Sequence, residues 1–339
     1  VNLSDLDYDY PADQIATQPQ EPCRILLAQR SFDPREIQRS ELYQNFKSGD
    51  VLVLNDTLVS RRRVFALHDD LEILFVKALS DLQWEVLCPA RLLNPGDKIA
   101  LPGGLFLELI SKGFPQRVQS SEPLSEAYFA QWGEVALPPY IQKARNQRHS
   151  SAEDLVWYQT AWAKHVGSAA APTASLHFGP RDLEELLARG VVIRFLTLHV
   201  GLGTFLPVRT ERLEDHVMHQ ETVTIPSETL SALVTAKARG QRIWALGTTV
   251  ARALESYASG ELIQDANGNA SGAASIFIQP GYEWQMVSGL MTNFHQPKST
   301  LLALVAAFAG LSEMRAAYDW AIARGFRLFS YGDLSVWLN

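Results

Sequence analysis

Several short stretches of the chain gather residue types that move protons or hold anions. Glu214 to Glu221 contains His216 and His219 beside the carboxylates of Glu214, Asp215 and Glu221. Imidazoles titrate near neutral pH, so this grouping suits general acid–base chemistry or a metal. A helix here would put both imidazoles on one face, three residues apart. A metal needs further ligands at compatible spacing, the chain lacks His-Glu-x-x-His, and no metal is expected. A surface histidine pair with no role fits the same letters. His199 closes an apolar run and leads into Gly201, Gly203 and Thr204. Such a Gly-x-Gly lets backbone approach a ligand, or merely makes a tight turn. Gly247-Thr248-Thr249 stands between the apolar Arg242 to Leu246 and a helical pattern carrying Arg252 and Glu255. Free N–H groups at a helix start attract a carboxylate or phosphate, although a capped joint without ligand reads the same way. The small-residue loop Ala170 to Ser175 ends in His177, and Thr292-Asn293-Phe294-His295 precedes another helix. Ser175-x-His177 is no hydrolase signature, because a Gly-x-Ser-x-Gly elbow is missing.

The elements that would carry these residues follow from periodicity. Strands are expected at Arg24 to Gln29, Asp50 to Leu54, Val191 to His199, Arg242 to Leu246, Ser275 to Ile278 and Arg327 to Phe329. Helices are expected at Ala152 to Lys164, Pro180 to Arg189, Ser227 to Arg239, Thr249 to Ser259, Lys298 to Ala309 and Ser312 to Arg324. That alternation describes a layered α/β (α+β) core. Between Val64 and Val135 the pattern becomes short alternating runs split by Asn94-Pro95-Gly96-Asp97 and Pro102-Gly103-Gly104, which reads as a small β-barrel or sandwich. The expected organisation is a core of residues 1–62 and 151–339 with an inserted β-barrel domain at 63–150. Gln264 to Ala274, rich in small polar residues, reads as a mobile surface excursion.

Composition narrows the class. Against 37 Asp+Glu stand 30 Lys+Arg, a net charge of −7, so nucleic acid would have to be met by a local basic patch. Arg61-Arg62-Arg63 and Lys143, Arg145 and Arg148 supply two clusters at the junctions of the insertion, where a cleft would form; a solvated surface is the plainer reading. Two cysteines, Cys23 and Cys88, exclude a disulfide framework and point to a reducing compartment. The longest apolar run, Leu301 to Leu311, is too short to span a membrane, and the acidic first ten residues carry no secretory signal, so a cytoplasmic location is expected.

Taken in order, many of these segments resemble the S-adenosylmethionine:tRNA ribosyltransferase-isomerase family of queuosine biosynthesis. The resemblance rests on Gly49 to Thr57, Leu137 to Ile141, Tyr158-Gln159-Thr160, Ala170 to Ala174 followed by Leu176-His177-Phe178, Thr197 to Phe205 and His216-x-Met218-His219-x-Glu221. It continues through Gly247-Thr248-Thr249, Arg252 to Ser256, Pro280-Gly281-Tyr282, Thr292 to His295, Ser299 to Leu302 and Phe329 to Asp333. The family pattern is broken at Leu58, Ser175, Ala251, Ser275 and Gln279.

The resemblance implies transfer and isomerisation of the ribosyl part of S-adenosylmethionine onto 7-aminomethyl-7-deazaguanine at the tRNA wobble position. Epoxyqueuosine forms, and adenine and methionine leave. S-adenosylmethionine is then a co-substrate, tRNA the partner, and a monomer is expected. The sulfonium acidifies the adjoining ribose carbon, so a base must take its proton, and departing adenine needs a donor. His177, His199, His219 and Glu221 are implied as the proton-handling set, with His216 and His295 as further candidates. Gly201, Gly203, Thr204, Gly247, Thr248, Thr249 and Arg252 are implied to bind S-adenosylmethionine. Asp56, His216, Asn293, His295 and Asp333 are implied to hold substrate groups, and the two basic clusters to meet tRNA phosphates. A divergent member that binds without this catalysis, or takes another acceptor, is the alternative.

Overall fold

A computed structural model describes residues 1–30, 32–68, 71–201 and 210–338. Its main body is a ten-stranded sheet. From one edge the order is Ile263–Gln264, Ala270–Ala274, Glu221–Ile225, Val192–Leu198, Val51–Asn55, Ile243–Leu246, Gly289–Asn293, Leu334–Leu338, Ile25–Gln29 and Arg35–Ile37. The four strands from Val192–Leu198 to Gly289–Asn293 run parallel. Three of them, Val51–Asn55, Ile243–Leu246 and Gly289–Asn293, are buried at every position. That is why they read as apolar runs rather than alternations: helices and loops cover both faces. One face packs the larger core around Leu196, Val250, Leu254 and Leu302, the other a smaller one around Leu52, Leu54, Trp244 and Leu246.

The parallel arrangement decides where the chemistry goes. Asn55, His199, Gly247 and Asn293 all stand at or just beyond strand C-termini, the edge at which open α/β sheets hold ligands. Asn55, fully buried, stitches that edge. Its Oδ1 accepts from Thr57 N and Leu198 N, both at 3.1 Å, and its Nδ2 donates to Leu198 O at 3.0 Å.

A second sheet of six antiparallel strands, Arg63–Phe65, Glu72–Ala78, Gln83–Leu87, Gln116–Ser120, Phe106–Ser111 and Lys98–Ala100 in spatial order, has a core of its own. It curls into a half-barrel until Leu67 N donates to Ala100 O at 3.0 Å, joining its two ends. Val135, Leu137 and Ile141, further along the chain, pack into the core of the larger sheet.

Some expected elements change. Within the helix expected over Ala152 to Lys164, only Asp154–Trp157 is α-helical, and His165–Ser168 becomes a strand beside Thr57–Val59. Trp162 there donates its indole N–H to Asn55 O at 3.1 Å, which holds the chain against the sheet. Gln264 to Ala274 is no loose excursion. Asp265 Oδ1 accepts from Asn267 N and Asn269 N, closing a hairpin that returns as Ala270–Ala274 along Glu221–Ile225. The strand expected at Ser275 to Ile278 is displaced to that hairpin, because Glu261 takes the Ser275 and Ile276 N–H groups that a ladder would need. Arg327 to Phe329 likewise makes a turn, and the strand follows at Leu334–Leu338.

Candidate functional site

The C-terminal edge of the parallel strands opens into a cavity of about 420 Å³, a size suited to a nucleoside-sized ligand. Its wall includes Glu221, Gly247, Thr248, Thr249, Arg252, Asn293 and His295 of the expected set. Gly247, with φ of +100°, turns the chain from Ile243–Leu246 into the helix Thr248–Ala258, whose first turn faces the cavity. Glycine alone enters this conformation without strain.

The Arg252 guanidinium lies one turn into that helix. Its Nη1 pairs with the Glu221 carboxylate at 2.9 Å, and its Nη2 donates to His219 O at 3.0 Å and Ala274 O at 3.1 Å. Glu221 Oε1 also accepts from Gly201 N at 2.9 Å. Among the described residues, Arg252 Nε and Thr249 Oγ1, both buried, have no partner. A buried N–H without an acceptor is costly, and both groups stand beside the open N–H groups of a helix start. The arrangement can receive an anionic group, with the helix dipole favouring negative charge.

The histidines divide. His295 lines the cavity, its ring Nε2 at 2.8 Å from Thr292 Oγ1, its N–H donated to the Tyr318 hydroxyl at 2.9 Å and its carbonyl accepting from Tyr8. Burial pulls its pKa down to about 3. His177 sits behind the wall, accepting at Nε2 from Asn293 Nδ2 at 3.0 Å, while Thr173 donates to Asn293 Oδ1 at 2.8 Å. Burial first, then the Arg39 and Arg327 charges, lower its pKa to about 3. Both rings are therefore neutral at physiological pH.

His199 is absent from the cavity wall; its Nδ1 meets Thr57 Oγ1 at 2.8 Å, near Asp56 and His165, and burial lowers its pKa. Gly167 leaves room for it, since a Cβ there would lie 2.9 Å from the imidazole. Gly167→Ala should cost about 1–3 kcal/mol by forcing that contact apart, read from urea unfolding. Wild-type stability would show that His199 has room to move.

Glu214 to Glu221 is not a helix. A short 3-10 turn, Leu213–Asp215, ends at His216, and a strand begins at Glu221. His216 packs on Phe277 with ring centroids 5.4 Å apart, and burial followed by the neighbouring His219 lowers its pKa. His219 is held through its carbonyl by Arg252. Asp56 accepts from Thr197 Oγ1 at 2.6 Å away from the cavity. Asp333 takes Arg24 N at 3.0 Å and Arg327 N at 2.7 Å, so both its oxygens are used on backbone. Gly203 and Thr204 lie outside the described residues.

Much of the basic material is engaged within the protein. Arg63 is 1% exposed, pairing with Glu72 at 2.7 Å and Glu134 at 3.7 Å, and Arg145 pairs with both oxygens of Asp154 at 2.6 and 2.9 Å. Arg61 donates to Ala130 O at 2.8 Å; Arg62 pairs with Glu126 and lies 4.1 Å over the Phe129 ring. Lys143 is exposed, and Arg148 is half-exposed at 4.0 Å from Glu72. Wall residues that the chemistry-bearing letters did not single out include Tyr140, Phe329 and Lys298. Tyr140 and Phe329 lie inside segments quoted for the family resemblance, which was the one signal pointing to them.

The ion pairs and cavity sit on a chain with clear relatives. The family model described as queuosine biosynthesis protein matches residues 3–336. The chain is 43% identical over 345 residues to a protein of Citrifermentans bemidjiense named S-adenosylmethionine:tRNA ribosyltransferase-isomerase, covering 98% of each. A protein of the same name from Chlorobium chlorochromatii is 40% identical over 342 residues, again covering 98% of each. The crystal structure of S-adenosylmethionine tRNA ribosyltransferase from Thermotoga maritima is similar at a TM-score of 0.56 and 28% identity, over 99% of this chain and 100% of that one.

Proposed function

The chain belongs to the queuosine biosynthesis protein family, and from that membership we propose that it is an S-adenosylmethionine:tRNA ribosyltransferase-isomerase. It moves the ribosyl group of S-adenosylmethionine onto the aminomethyl nitrogen of 7-aminomethyl-7-deazaguanine at the tRNA wobble position. The products are epoxyqueuosine, adenine and methionine. The observation that carries the reading is the family match over residues 3–336; at the site it is supported by two buried groups, Thr249 Oγ1 and Arg252 Nε, that have no partner among the described residues and stand on the helix that opens the cavity wall. They suit the methionine carboxylate, with Gly247 and Thr248 bringing backbone close.

Glu221 and His295 are the proton-handling groups that reach the cavity. The Glu221 carboxylate can take the proton beside the sulfonium, and the His295 imidazole, held neutral by burial, can donate a hydrogen bond to departing adenine. His177 acts through Asn293, and His219 through Arg252, as positioning residues. His199 and Asp56 belong to the rim of the same sheet edge. Lys143, which is exposed, is proposed to meet a phosphate, since Arg63 and Arg145 are neutralised by carboxylates and Arg148 lies 4.0 Å from Glu72. No metal enters this reading; among the described residues no cluster could hold one. Among them, no single helix is long and apolar enough to cross a membrane, and a cytoplasmic monomer is part of the proposal.

The test is incubation with S-adenosylmethionine and an anticodon stem-loop carrying the 7-aminomethyl-7-deazaguanine base, with mass spectrometry of nucleosides and free adenine. Epoxyqueuosine and adenine are expected together; folded protein that yields neither sinks the proposal. Thr249→Val keeps shape and removes the hydroxyl. It should weaken S-adenosylmethionine about tenfold, the scale of one hydrogen bond to a charged group, with an unchanged melting temperature. Unchanged affinity would move the carboxylate elsewhere.

A further inference from the structure

Apart from glycines, the described residues have left-handed backbone at Asn146, Lys298 and Phe329. Two of these are explained by what surrounds them. Asn146 ends a helix, a common place for asparagine, and Phe329, 2% exposed, is packed in the core between Tyr10 and Tyr140. Lys298, at φ of +56°, has an exposed side chain, so no packing demands a lysine there. Glycine or asparagine enters this region with less strain. A long cation kept at a strained position on the wall of a ligand cavity points to use of the side chain.

The neighbours of Lys298 set its backbone. The Ser299 hydroxyl donates to Gln296 O at 2.7 Å and accepts from Leu302 N at 3.2 Å, closing the turn that leads into the helix Thr300–Ala309. Lys298 N donates to Leu6 O at 3.0 Å, which ties the turn to the N-terminal segment. The same turn begins at His295, so the ammonium is carried on the solvent side of the wall that His295 lines. Lys298 Nζ pairs with Asp7 Oδ2 at 2.5 Å, the two side chains 48% and 49% exposed. An ion pair this open to water is worth little, and another anion exchanges for Asp7 at small cost. The other cation among the described wall residues is Arg252, which is 11% exposed and committed to Glu221.

We infer that Lys298 is a substrate-positioning residue, whose ammonium leaves Asp7 to meet a backbone phosphate of the RNA as the wobble base enters the cavity. A base that goes in carries its sugar and phosphates behind it, so an anion arrives at the solvent side of the wall. Lysine suits that contact because its ammonium acts as a point charge on a flexible stem. This inference rests on the functional reading above and adds to it the residue that receives the strand.

The affinity of the modified stem-loop, measured over about a tenfold range of salt, tests it in wild-type, Lys298→Asn, Lys298→Arg and Asp7→Asn proteins. Losing one phosphate contact to a single strand should lower the slope of log affinity against log salt by about 0.7 in Lys298→Asn, which is about fivefold in affinity at the lower end of the range. Lys298→Arg should keep the wild-type slope, and Asp7→Asn should strengthen binding because a competing carboxylate is gone. Lys298→Asn should melt at or above the wild-type temperature, since asparagine relieves the backbone, and should bind S-adenosylmethionine as wild type does. A wild-type slope in Lys298→Asn overturns the inference. Weakened S-adenosylmethionine binding with that unchanged slope assigns the ammonium to the methionine carboxylate and overturns it equally. Wild-type protein that binds no modified stem-loop overturns the functional reading, and the inference with it.

Discussion

Arg252→Met should lower the unfolding free energy by about 3–5 kcal/mol and remove turnover at the same time. The guanidinium satisfies the Glu221 carboxylate and the carbonyls of His219 and Ala274, so its loss strips a buried charge of its main partner and frees the end of one strand. Glu221→Gln leaves the shape and should cost turnover about 10²-fold or more, the range for a lost proton-transfer group. The double variant separates the two roles. Arg252→Met with Glu221→Gln should recover part of the stability, because no buried carboxylate is left without its guanidinium, and none of the turnover. Urea midpoints and single-turnover rates check this. A single variant as stable as wild type would mean that Glu221 is satisfied by its other contacts.

Glu255→Ala should be nearly as severe for the fold alone. The carboxylate is fully buried and accepts from Gln285 N, Met286 N, Val287 N and the Tyr282 hydroxyl, each at 2.9 Å. Removing it orphans three backbone donors at about 1–3 kcal/mol each, so a loss of about 4 kcal/mol or more is expected, much of a typical domain's stability. Glu255→Gln keeps one acceptor oxygen and should lose roughly half as much. The affected segment leads into Gly289–Asn293, which carries Asn293 to the cavity. An alanine variant with the wild-type urea midpoint would refute the assignment.

The sequence and the structure agree most closely where a run is buried on both faces or a helix has a marked start. Val51–Asn55, Ile243–Leu246 and the helix after Gly247 fall within a residue or two of their expected places, because apolar periodicity and turn chemistry are local. The losses come from contacts between distant segments. Arg63 and Arg145 read as surface cations until Glu72 and Asp154 fold onto them. His216 and His219 read as one helical face until Glu221 is drawn into a strand by Ala270–Ala274. Small residues there look like a loop, yet a strand packed closely under Leu262 has little space for larger ones: a Cβ on Gly272 would come within 3.1 Å of it. The cavity itself was legible in part, through Gly247 to Arg252 and Asn293 to His295, whereas the place of Phe329 behind its lining depends on a turn closed by Asp333.

The pairing of Ile25–Gln29 with Leu334–Leu338 has a consequence for how the chain is made. Arg24 and Asp333, bonded beside this pair, are 309 positions apart, so a strand made early waits for residues synthesised 309 positions later. Val51–Asn55 waits as well, since its neighbours are Val192–Leu198 and Ile243–Leu246. The half-barrel has only antiparallel neighbours drawn from a short stretch and its own core, so it is the part able to close during synthesis. Until Leu334–Leu338 is made, the nascent chain holds one finished unit and several apolar strands whose partners do not yet exist, the kind of exposed surface that favours aggregation.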